Sequence, residues 1–353
     1  MRELTIGGRQ IGDGTPTFVI AEIGHNHQGD LEKAKALMRA AADCGADAVK
    51  VQKRDNRSLF TRELYDAPYD NENSFGATYG EHREALELDR EGFLALRELA
   101  RELGVVFFST AFDAVSADFL AELDMPAFKL ASGDLRNLPL LRHVASLGKP
   151  MVVSTGGATI ADVDRAVETI LPLNEQLCVL QCTAAYPVDV SELHLGVITT
   201  YRERYPEVVI GLSDHQDGIS MALVAHMLGA RVIEKHFTLN HTWKGTDHAF
   251  SLVPEGMRKL IRDLSRIPVA IGDGTKRPLA SEEKPLQRMG KKLVAARPLV
   301  AGHLLVEGDL VARSPADEGL SPAELDGLLG SRLRRDLSEE EALSADDVEH
   351  DAS

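Results

Sequence analysis

The sequence is poor in aromatic residues and in positive charge, and it lacks long apolar runs. Aromatic side chains make up 5% of the 353 residues, too few for a protein that binds nucleic acid by stacking on its bases. The formal net charge of −16 disfavours phosphate backbones and anionic membrane surfaces, so we expect neither nucleic-acid nor membrane partners. No run of about 20 apolar residues is present, so the sequence predicts no transmembrane helix.

Cysteine is also scarce. The chain has three, Cys44, Cys178 and Cys182, which cannot form a disulfide framework. Cys178 and Cys182 fall in one predicted strand, where four residues span about 13 Å, too far for a bridge. Free cysteines are typical of a reducing compartment, and residues 1–13 contain no apolar signal-peptide segment. We therefore expect a cytoplasmic protein.

Strand-like and helix-like patterns alternate over the first 270 residues. Runs rich in Val, Ile and Phe are typical of strands buried on both faces of a parallel sheet. We predict eight strands, at Phe18–Ile23, Ala48–Gln52, Val105–Ser109, Ala127–Ala131, Met151–Ser154, Leu177–Cys182, Val208–Leu212 and Arg231–His236. Helices are predicted at Leu31–Cys44, Arg90–Leu103, Val115–Leu123, Leu138–Leu147, Ile160–Ile170, Leu193–Arg204, Ile219–Leu228 and Pro254–Leu264. This strict alternation predicts an α/β fold, a (β/α)₈ TIM barrel, with an open doubly wound sheet as the alternative.

Two segments interrupt the alternation. Residues 53–88 separate the second strand from its helix, and a polar connection of that length is usually functional or disordered. At the C-terminal face of a barrel it would cap the active site. After Leu264, glycines and prolines indicate a linker before a β-rich segment and an acidic tail. We therefore divide the chain into a barrel domain at 1–272, a linker at 273–287 and a small β-rich domain with an acidic tail at 288–353.

Polar side chains end every predicted strand, and catalytic residues of such barrels lie at the C-terminal ends of strands. Lys50 and Lys129 stand in otherwise apolar strands, and a buried lysine requires a partner. Nearby hydroxyl groups and backbone amides next to glycines would complete a site for a phosphate and a carboxylate. The hydroxyl groups are those of Thr110, Ser132, Ser154 and Ser213. In the alternative interpretation the lysines form internal salt bridges with Glu22, Glu234 or Asp134.

Two histidines, His215 and His236, end neighbouring predicted strands. Two imidazoles at that position can bind one divalent ion and leave coordination positions open, which suits Mn²⁺ or a similar ion. Alternatively, each is an ordinary hydrogen-bonded histidine, and His25 and His27 form a rival pair in a glycine-rich loop. Asp247, in a loop after the eighth strand, is either a ligand for sugar hydroxyls or a turn residue.

A series of motifs closely resembles the N-acetylneuraminate (sialic acid) synthase family. In chain order these motifs are AEIGHNHQGDLEKA, GADAVKVQ, FFSTAFD, FKLASGD, VVSTGGA, CTAAYP, GLSDH and EKHFT. The tail from about Gly290 resembles the small antifreeze-protein-like (SAF) domain that ends these enzymes. The resemblance implies a metal-dependent transferase that condenses phosphoenolpyruvate with an N-acylmannosamine-type aldose or its 6-phosphate. Family members that make KDN, legionaminate or pseudaminate are the alternatives.

The resemblance also implies roles for individual residues. Phosphoenolpyruvate would be held by Lys50, Thr110, Lys129, Ser132, Ser154 and Ser213. The sugar would be held by Glu22, Gln52, Tyr186, Asp247 and Arg313. Mn²⁺ or Mg²⁺ would bind to His215 and His236. Arg313 lies in the tail domain and would reach the site of a partner subunit, which implies a domain-swapped homodimer.

The resulting hypothesis is a metal-assisted condensation. The metal polarises the sugar aldehyde, the methylene carbon of phosphoenolpyruvate attacks it, and water then replaces the departing phosphate. Glu22 or Asp134 is the expected proton carrier. Two rivals are a Schiff-base aldolase that uses Lys50 or Lys129 as its nucleophile, and a carbohydrate-binding protein without catalysis.

Overall fold

The structure is a computed structural model that describes residues 2–315 and 317–349. The chain divides into two compact units between Ile271 and Gly272. Residue 316 and the last four residues of the acidic tail, 350–353, lie outside the described residues.

The first unit opens with an antiparallel hairpin and continues into a closed barrel of eight parallel strands. The hairpin strands are β1 (Glu3–Ile6) and β2 (Arg9–Gly12). The barrel strands are β3 (Phe18–Gly24), β4 (Ala48–Lys53), β5 (Val106–Ala111), β6 (Phe128–Leu130), β7 (Met151–Ser154), β8 (Leu177–Cys182), β9 (Val209–Asp214) and β10 (Val232–His236). Each strand pairs with the next along the chain, and β10 pairs with β3 to close the ring. The predicted TIM-type barrel is therefore confirmed, and the open sheet is wrong.

One main helix follows each barrel strand and packs outside it, and three short helices precede the main helix after β4. The helices are α1 (Leu31–Asp43), α2 (Asn56–Leu59), α3 (Arg62–Asp66), α4 (Tyr79–Glu84), α5 (Arg90–Leu103), α6 (Ala114–Glu122), α7 (Leu138–Ser146), α8 (Ile160–Ile170), α9 (Val197–Arg204), α10 (Ser220–Met227) and α11 (Pro254–Ile271). Local signals explain their ends. Asp30 caps α1 by accepting hydrogen bonds from the amides of residues 32 and 33, and Gly104 ends α5 with φ of 69°.

Most element boundaries differ from the sequence predictions by one or two residues, and three differences are larger. Helix α9 begins at Val197 rather than Leu193, because His194 has a positive φ of 44° that interrupts a helix. Helix α11 continues past Leu264 to Ile271 and contains Pro268. The 53–88 segment is not structureless, since it holds the short helices α2, α3 and α4.

The N-terminal hairpin fills the end of the barrel opposite to the C-terminal ends of the strands. Leu4, Ile6 and Ile11 are buried in one cluster with barrel-interior side chains such as Phe18 and Phe108. Its turn residues, Gly7 and Gly8, have φ of 56° and 80°, and two consecutive positive φ values favour glycine in a tight hairpin. We predicted no strand in this segment, although the Gly-Gly pair between alternating apolar residues is a hairpin signal.

The second unit is small and built from short strands. Its elements are α12 (Glu283–Met289), β11 (Lys292–Ala295), β12 (Leu310–Arg313), α13 (Leu325–Leu328), β13 (Arg332–Leu333) and β14 (Val348–Glu349). Strands β11 and β12 pair antiparallel, as do β13 and β14. Ten buried apolar residues, among them Leu293, Leu310 and Leu343, form its own core. Helix α12 overlaps the segment 273–287 that the sequence marked as a linker.

No helix among the described residues is long and apolar enough to cross a membrane. The three cysteines are buried and unpaired, in agreement with the sequence interpretation.

Removing apolar volume from the hairpin should destabilise the barrel. Ile6→Ala leaves a cavity in the closed end, and we expect the free energy of unfolding of this unit to fall by about 2–5 kcal/mol. Thr5→Ala is the matched control, because Thr5 faces solvent on the same strand, and its effect should stay below about 1 kcal/mol. Urea unfolding followed by circular dichroism measures both. Equal effects for the two variants would show that the hairpin does not support the barrel.

Candidate active site

A cavity of about 410 Å³ opens at the C-terminal ends of the barrel strands. Side chains and backbone from every barrel strand, or from the loop that follows it, line this cavity. The lining residues named by the sequence analysis are Glu22, His25, Lys50, Gln52, Thr110, Lys129, Ser132, Ser154, Tyr186, Ser213, His215, Glu234, His236 and Asp247. Catalytic sites of such barrels occur at this face, so the cavity is the candidate active site.

Strand register and alternation explain why these side chains converge. Glu22 pairs with Lys50 across β3 and β4, and Ser213 pairs with Glu234 across β9 and β10. Successive residues of a strand point to opposite faces, so Lys50 and Gln52 face the cavity. Lys53, one residue after Gln52, falls on the opposite face of the strand and forms an ion pair of 2.8 Å with Glu87.

Lys50 is almost fully buried at the floor of the cavity, with 2% of its surface exposed. Its ammonium forms an ion pair with the Glu22 carboxylate and donates a hydrogen bond of 2.7 Å to Thr110 Oγ1. Glu234 Oε2 lies 3.8 Å from the same nitrogen. Lys50 therefore forms the internal salt bridge with Glu22 that the sequence analysis gave as the alternative interpretation.

Lys129 has a different environment. Its ammonium donates hydrogen bonds to Ser154 Oγ at 2.6 Å and to the carbonyl of Leu130 at 2.9 Å. Within the described part of the chain, no carboxylate oxygen lies within 4 Å of this nitrogen, although only 3% of the residue is exposed. Burial lowers the pKa of Lys129, and the Glu234 carboxylate opposes that shift. A buried ammonium without a paired carboxylate is a site for an anion.

The two carboxyl groups beside the lysines have opposite pKa shifts. Burial raises the pKa of Glu22 to about 7, against the attraction of Lys50. Burial also acts on Glu234, but the ammonium groups of Lys50 and Lys129 outweigh it and lower the pKa of that carboxyl. When two neighbouring carboxyl groups interact with the same cation, their pKa values move apart, because ionisation of one disfavours ionisation of the other.

His215 and His236 lie side by side, with ring centroids 5.4 Å apart. Burial lowers the pKa of His215 to about 4 and also lowers the pKa of His236, so both rings are neutral near pH 7. His215 Nδ1 donates to the carbonyl of Thr183 at 2.9 Å, which leaves Nε2 as an available lone pair. His236 Nδ1 is buried without a hydrogen-bond partner and lies 3.6 Å from Asp247 Oδ2.

These two neutral imidazoles fit a divalent ion held by few protein ligands. In residues 2–315 and 317–349, no group of three or more His, Cys, Asp or Glu side chains is arranged to hold a metal. An ion bound here would therefore rely on two nitrogens and take its remaining ligands from water and substrate.

The rival pair, His25 and His27, is engaged in holding its loop. His25 Nε2 accepts a hydrogen bond of 2.9 Å from Arg54, and His27 Nδ1 accepts one of 3.0 Å from the amide of Gly29. Between them, Asn26 donates to the carbonyl of Phe237 at 2.9 Å, which ties the loop to the segment after β10.

The residues expected to bind sugar line the outer part of the cavity. Gln52 Nε2 donates to Glu22 Oε1 at 2.8 Å. Tyr186 is 55% exposed and stacks on His215 with ring centroids 4.1 Å apart. Asp247 faces the same space, and its Oδ1 accepts a hydrogen bond of 2.7 Å from the Thr246 hydroxyl. An aromatic face beside an amide and a carboxylate is suited to a polyhydroxylated ligand.

One predicted site residue, Asp134, does not line the cavity, and another, Arg313, belongs to the second unit. Asp134 ends the short 3₁₀ turn after β6 and is not among the residues that line the cavity, although burial raises its pKa to about 6. Arg313 lies on β12 of the second unit, where its guanidinium forms an ion pair with Glu340.

Sequence reasoning missed two arginines of the cavity wall, Arg54 and Arg83. Arg54 continues the inward alternation of residues 50 and 52 one position past the strand, which was a readable signal. Arg83 belongs to α4 within the 53–88 segment, and the direction of a side chain in so long a connection cannot be derived from local sequence patterns.

Comparisons with known proteins agree with this architecture. The NeuB family model matches residues 37–276, and the SAF domain model matches residues 292–349. The N-acetylneuraminate-9-phosphate synthase of Mus musculus is 37% identical over 342 residues, which cover 97% of this chain and 95% of that protein. The N,N'-diacetyllegionaminic acid synthase of Legionella pneumophila is 36% identical and covers 93% of each chain.

Solved structures show the same likeness. The N-acetylneuraminic acid synthetase of Leptospira borgpetersenii, crystallised with citrate, has a TM-score of 0.69 and 32% identity over 81% of this chain and 95% of that one. The spore coat polysaccharide biosynthesis protein SpsE of Bacillus subtilis has a TM-score of 0.66 and 33% identity over 99% of this chain and 100% of that one. With a family model matched over most of the barrel and relatives aligned over nearly the whole chain, this protein belongs to the NeuB family.

Proposed function

We propose that this protein is a nonulosonic acid synthase that condenses phosphoenolpyruvate with an N-acylmannosamine-type aldose, or its 6-phosphate, and releases phosphate. The single observation that carries the proposal is the meeting of two buried lysines and two neutral histidines in one cavity. The names of the relatives support the same reaction class, since they include sialic, legionaminic and pseudaminic acid synthases. KDN, legionaminate and pseudaminate chemistry remain alternatives for the acceptor.

In this proposal the floor of the cavity binds phosphoenolpyruvate. Lys129 supplies an ammonium without a carboxylate partner, and Lys50 supplies a second cation 2.7 Å from the Thr110 hydroxyl. Hydroxyls of Ser132, Ser154 and Ser213 surround this region. These cations and hydrogen-bond donors are already in position, so they stabilise the departing phosphate without having to reorganise. This is electrostatic preorganisation.

The reaction joins the methylene carbon of phosphoenolpyruvate to the aldehyde carbon of the acceptor, and the aldehyde oxygen takes up a proton. Water adds to the carbon that bears the phosphate ester, and the bond from that carbon to the phosphate oxygen breaks to leave a ketone. One proton of the water restores the acid that protonated the aldehyde oxygen, and the other leaves with the phosphate. We assign the proton at the aldehyde oxygen to Glu22, because Glu22 lines the cavity and Asp134 does not. Gln52, Tyr186 and Asp247 orient the acceptor above the floor.

A divalent ion, Mn²⁺ or Mg²⁺, completes the proposal and would be held by His215 and His236. When bound, such an ion acts as a Lewis acid on the acceptor aldehyde. The orphaned Nδ1 of His236 and the free Nε2 of His215 support this assignment.

The proposal extends to assembly and location. A domain-swapped homodimer would bring Arg313 to the cavity of a partner subunit, and the exposure of Arg313 on its strand is compatible with that role. A cytoplasmic location agrees with the three unpaired cysteines.

Loss of either imidazole should abolish metal-dependent turnover. In an assay of phosphate release from phosphoenolpyruvate, with N-acetylmannosamine, its 6-phosphate and bacterial diamino sugars as acceptors, we expect activity that a chelator removes and Mn²⁺ restores. His215→Ala or His236→Ala should lower turnover by about 10³-fold or more, because several kcal/mol of charge stabilisation disappear. His143→Ala is the matched control, since His143 pairs with Asp118 on the surface. A fully active double variant that ignores chelators would refute the metal site.

Removing the ammonium group of Lys129 should lower the catalytic efficiency of the enzyme with phosphoenolpyruvate. For Lys129→Met we expect kcat/KM for phosphoenolpyruvate to fall by about 10- to 100-fold, the value of a hydrogen bond to a charged group. Lys149→Met serves as the control, because Lys149 forms a surface ion pair with Asp124. Thermal unfolding verifies that both variants fold. Borohydride inactivation in the presence of substrate, dependent on Lys129, would instead favour the Schiff-base aldolase.

A further inference from the structure

We propose that Arg54 and Arg83 bind a phosphate group at the end of the acceptor sugar remote from the reacting aldehyde. This inference rests on the proposed function and adds the charge of the acceptor and the residues that select it. It also gives a role to the two arginines of the cavity wall that the sequence analysis did not identify.

The position of Arg54 follows from the alternation along β4. Lys50, Gln52 and Arg54 occupy alternate positions that rise from the floor of the cavity towards its mouth, and all three line it. Two residues of strand advance about 7 Å, so the backbone positions of Lys50 and Arg54 are about 13 Å apart. An open-chain hexose that reacts at the floor and lies along Gln52 would bring its distal hydroxyl to Arg54.

Arg54 is a buried cation whose contacts, in the part of the chain that the structure describes, are with neutral groups. The residue is 8% exposed, donates to Gln52 Oε1 at 2.8 Å and to His25 Nε2 at 2.9 Å, and stacks on Phe112 at 3.6 Å. Each of these partners is neutral. Among the described residues, no carboxylate oxygen lies within the 4 Å ion-pair distance of its guanidinium. Burying a charge without a counter-ion is costly, so the arrangement favours a bound anion.

Arg83 supplies a second cation to the same cavity, from helix α4. It projects from α4 into the part of the cavity lined by His25, Thr246 and Asp247. Its Nε and Nη2 both donate to the Tyr79 hydroxyl, at 3.1 and 2.9 Å, and within the described residues Nη1 has no hydrogen-bond partner. Burial, and next the repulsion of the Arg83 guanidinium, lower the pKa of Arg54 to about 10.

A phosphate monoester fits this pair better than a neutral hydroxyl. Its two negative charges balance the two guanidinium groups, and planar guanidinium forks bind phosphate oxygens in pairs. The carboxylate of Asp247 does not neutralise them, because it lies against His236 and the Thr246 hydroxyl. The anion of phosphoenolpyruvate is also excluded from this role, because the lysines and hydroxyls that suit it lie at the floor.

The test compares an aldose acceptor with the same aldose phosphorylated at its terminal hydroxyl. For Arg83→Gln we expect the ratio of kcat/KM for the phosphorylated acceptor to that for the unphosphorylated one to fall by about 10- to 100-fold. Arg83→Lys keeps the charge and should recover most of the ratio. Arg57→Gln is the control, since Arg57 lies in the same 53–88 segment but is exposed and stacks on Tyr65. An unchanged ratio in Arg83→Gln, or a wild type that does not prefer the phosphorylated acceptor, overturns the inference.

Calorimetric titration with each acceptor separates this inference from the proposed function. If the wild type binds the phosphorylated aldose more tightly and Arg83→Gln loses that preference, the phosphate site stands even when no phosphate is released from phosphoenolpyruvate. Equal binding of both acceptors by the wild type and the variant refutes the phosphate site, whatever the turnover. Arg54→Met, verified by thermal unfolding, should lower the same binding preference.

Discussion

The constraint on which the rest of the structure depends is a group of four buried charged side chains in the mouth of the barrel whose charges are unevenly paired. Glu22, Lys50, Lys129 and Glu234 are each at least 95% buried. Lys50 contacts both carboxylates, whereas Lys129, among the described residues, donates its hydrogen bonds to a hydroxyl and a carbonyl. A buried charge without a counter-ion costs free energy in a protein interior. We infer that the rigid barrel holds such a charge in place and that a ligand of opposite charge neutralises it.

The closed barrel is that frame. Because β10 pairs with β3, every strand has two neighbours and its register is fixed on both sides. Register places Glu22 beside Lys50, and Ser213 beside Glu234, without any flexible element. The N-terminal hairpin closes the other end with apolar side chains, so the polar groups are confined to the C-terminal mouth. The fold thus separates the residues that support stability from those that support chemistry.

The sequence predicted the barrel well because its strands are continuous apolar runs with glycine or polar punctuation. It predicted the inward side chains for the same reason, since alternation alone places Lys50 and Gln52 on one face. It failed where local pattern carries little information. The partner of Lys50 depended on long-range register, and the position of the Arg83 side chain depended on the fold of the 53–88 segment. Asp134 lies in a 3₁₀ turn that the sequence did not predict.

A crystal structure of the protein with Mn²⁺ and phosphoenolpyruvate tests the central claim most directly. The account predicts that the phosphate and carboxylate of phosphoenolpyruvate lie within hydrogen-bonding distance of Lys50 and Lys129, with the ion between His215 and His236. Phosphoenolpyruvate bound outside this cavity, or an ion that contacts neither imidazole, would contradict it.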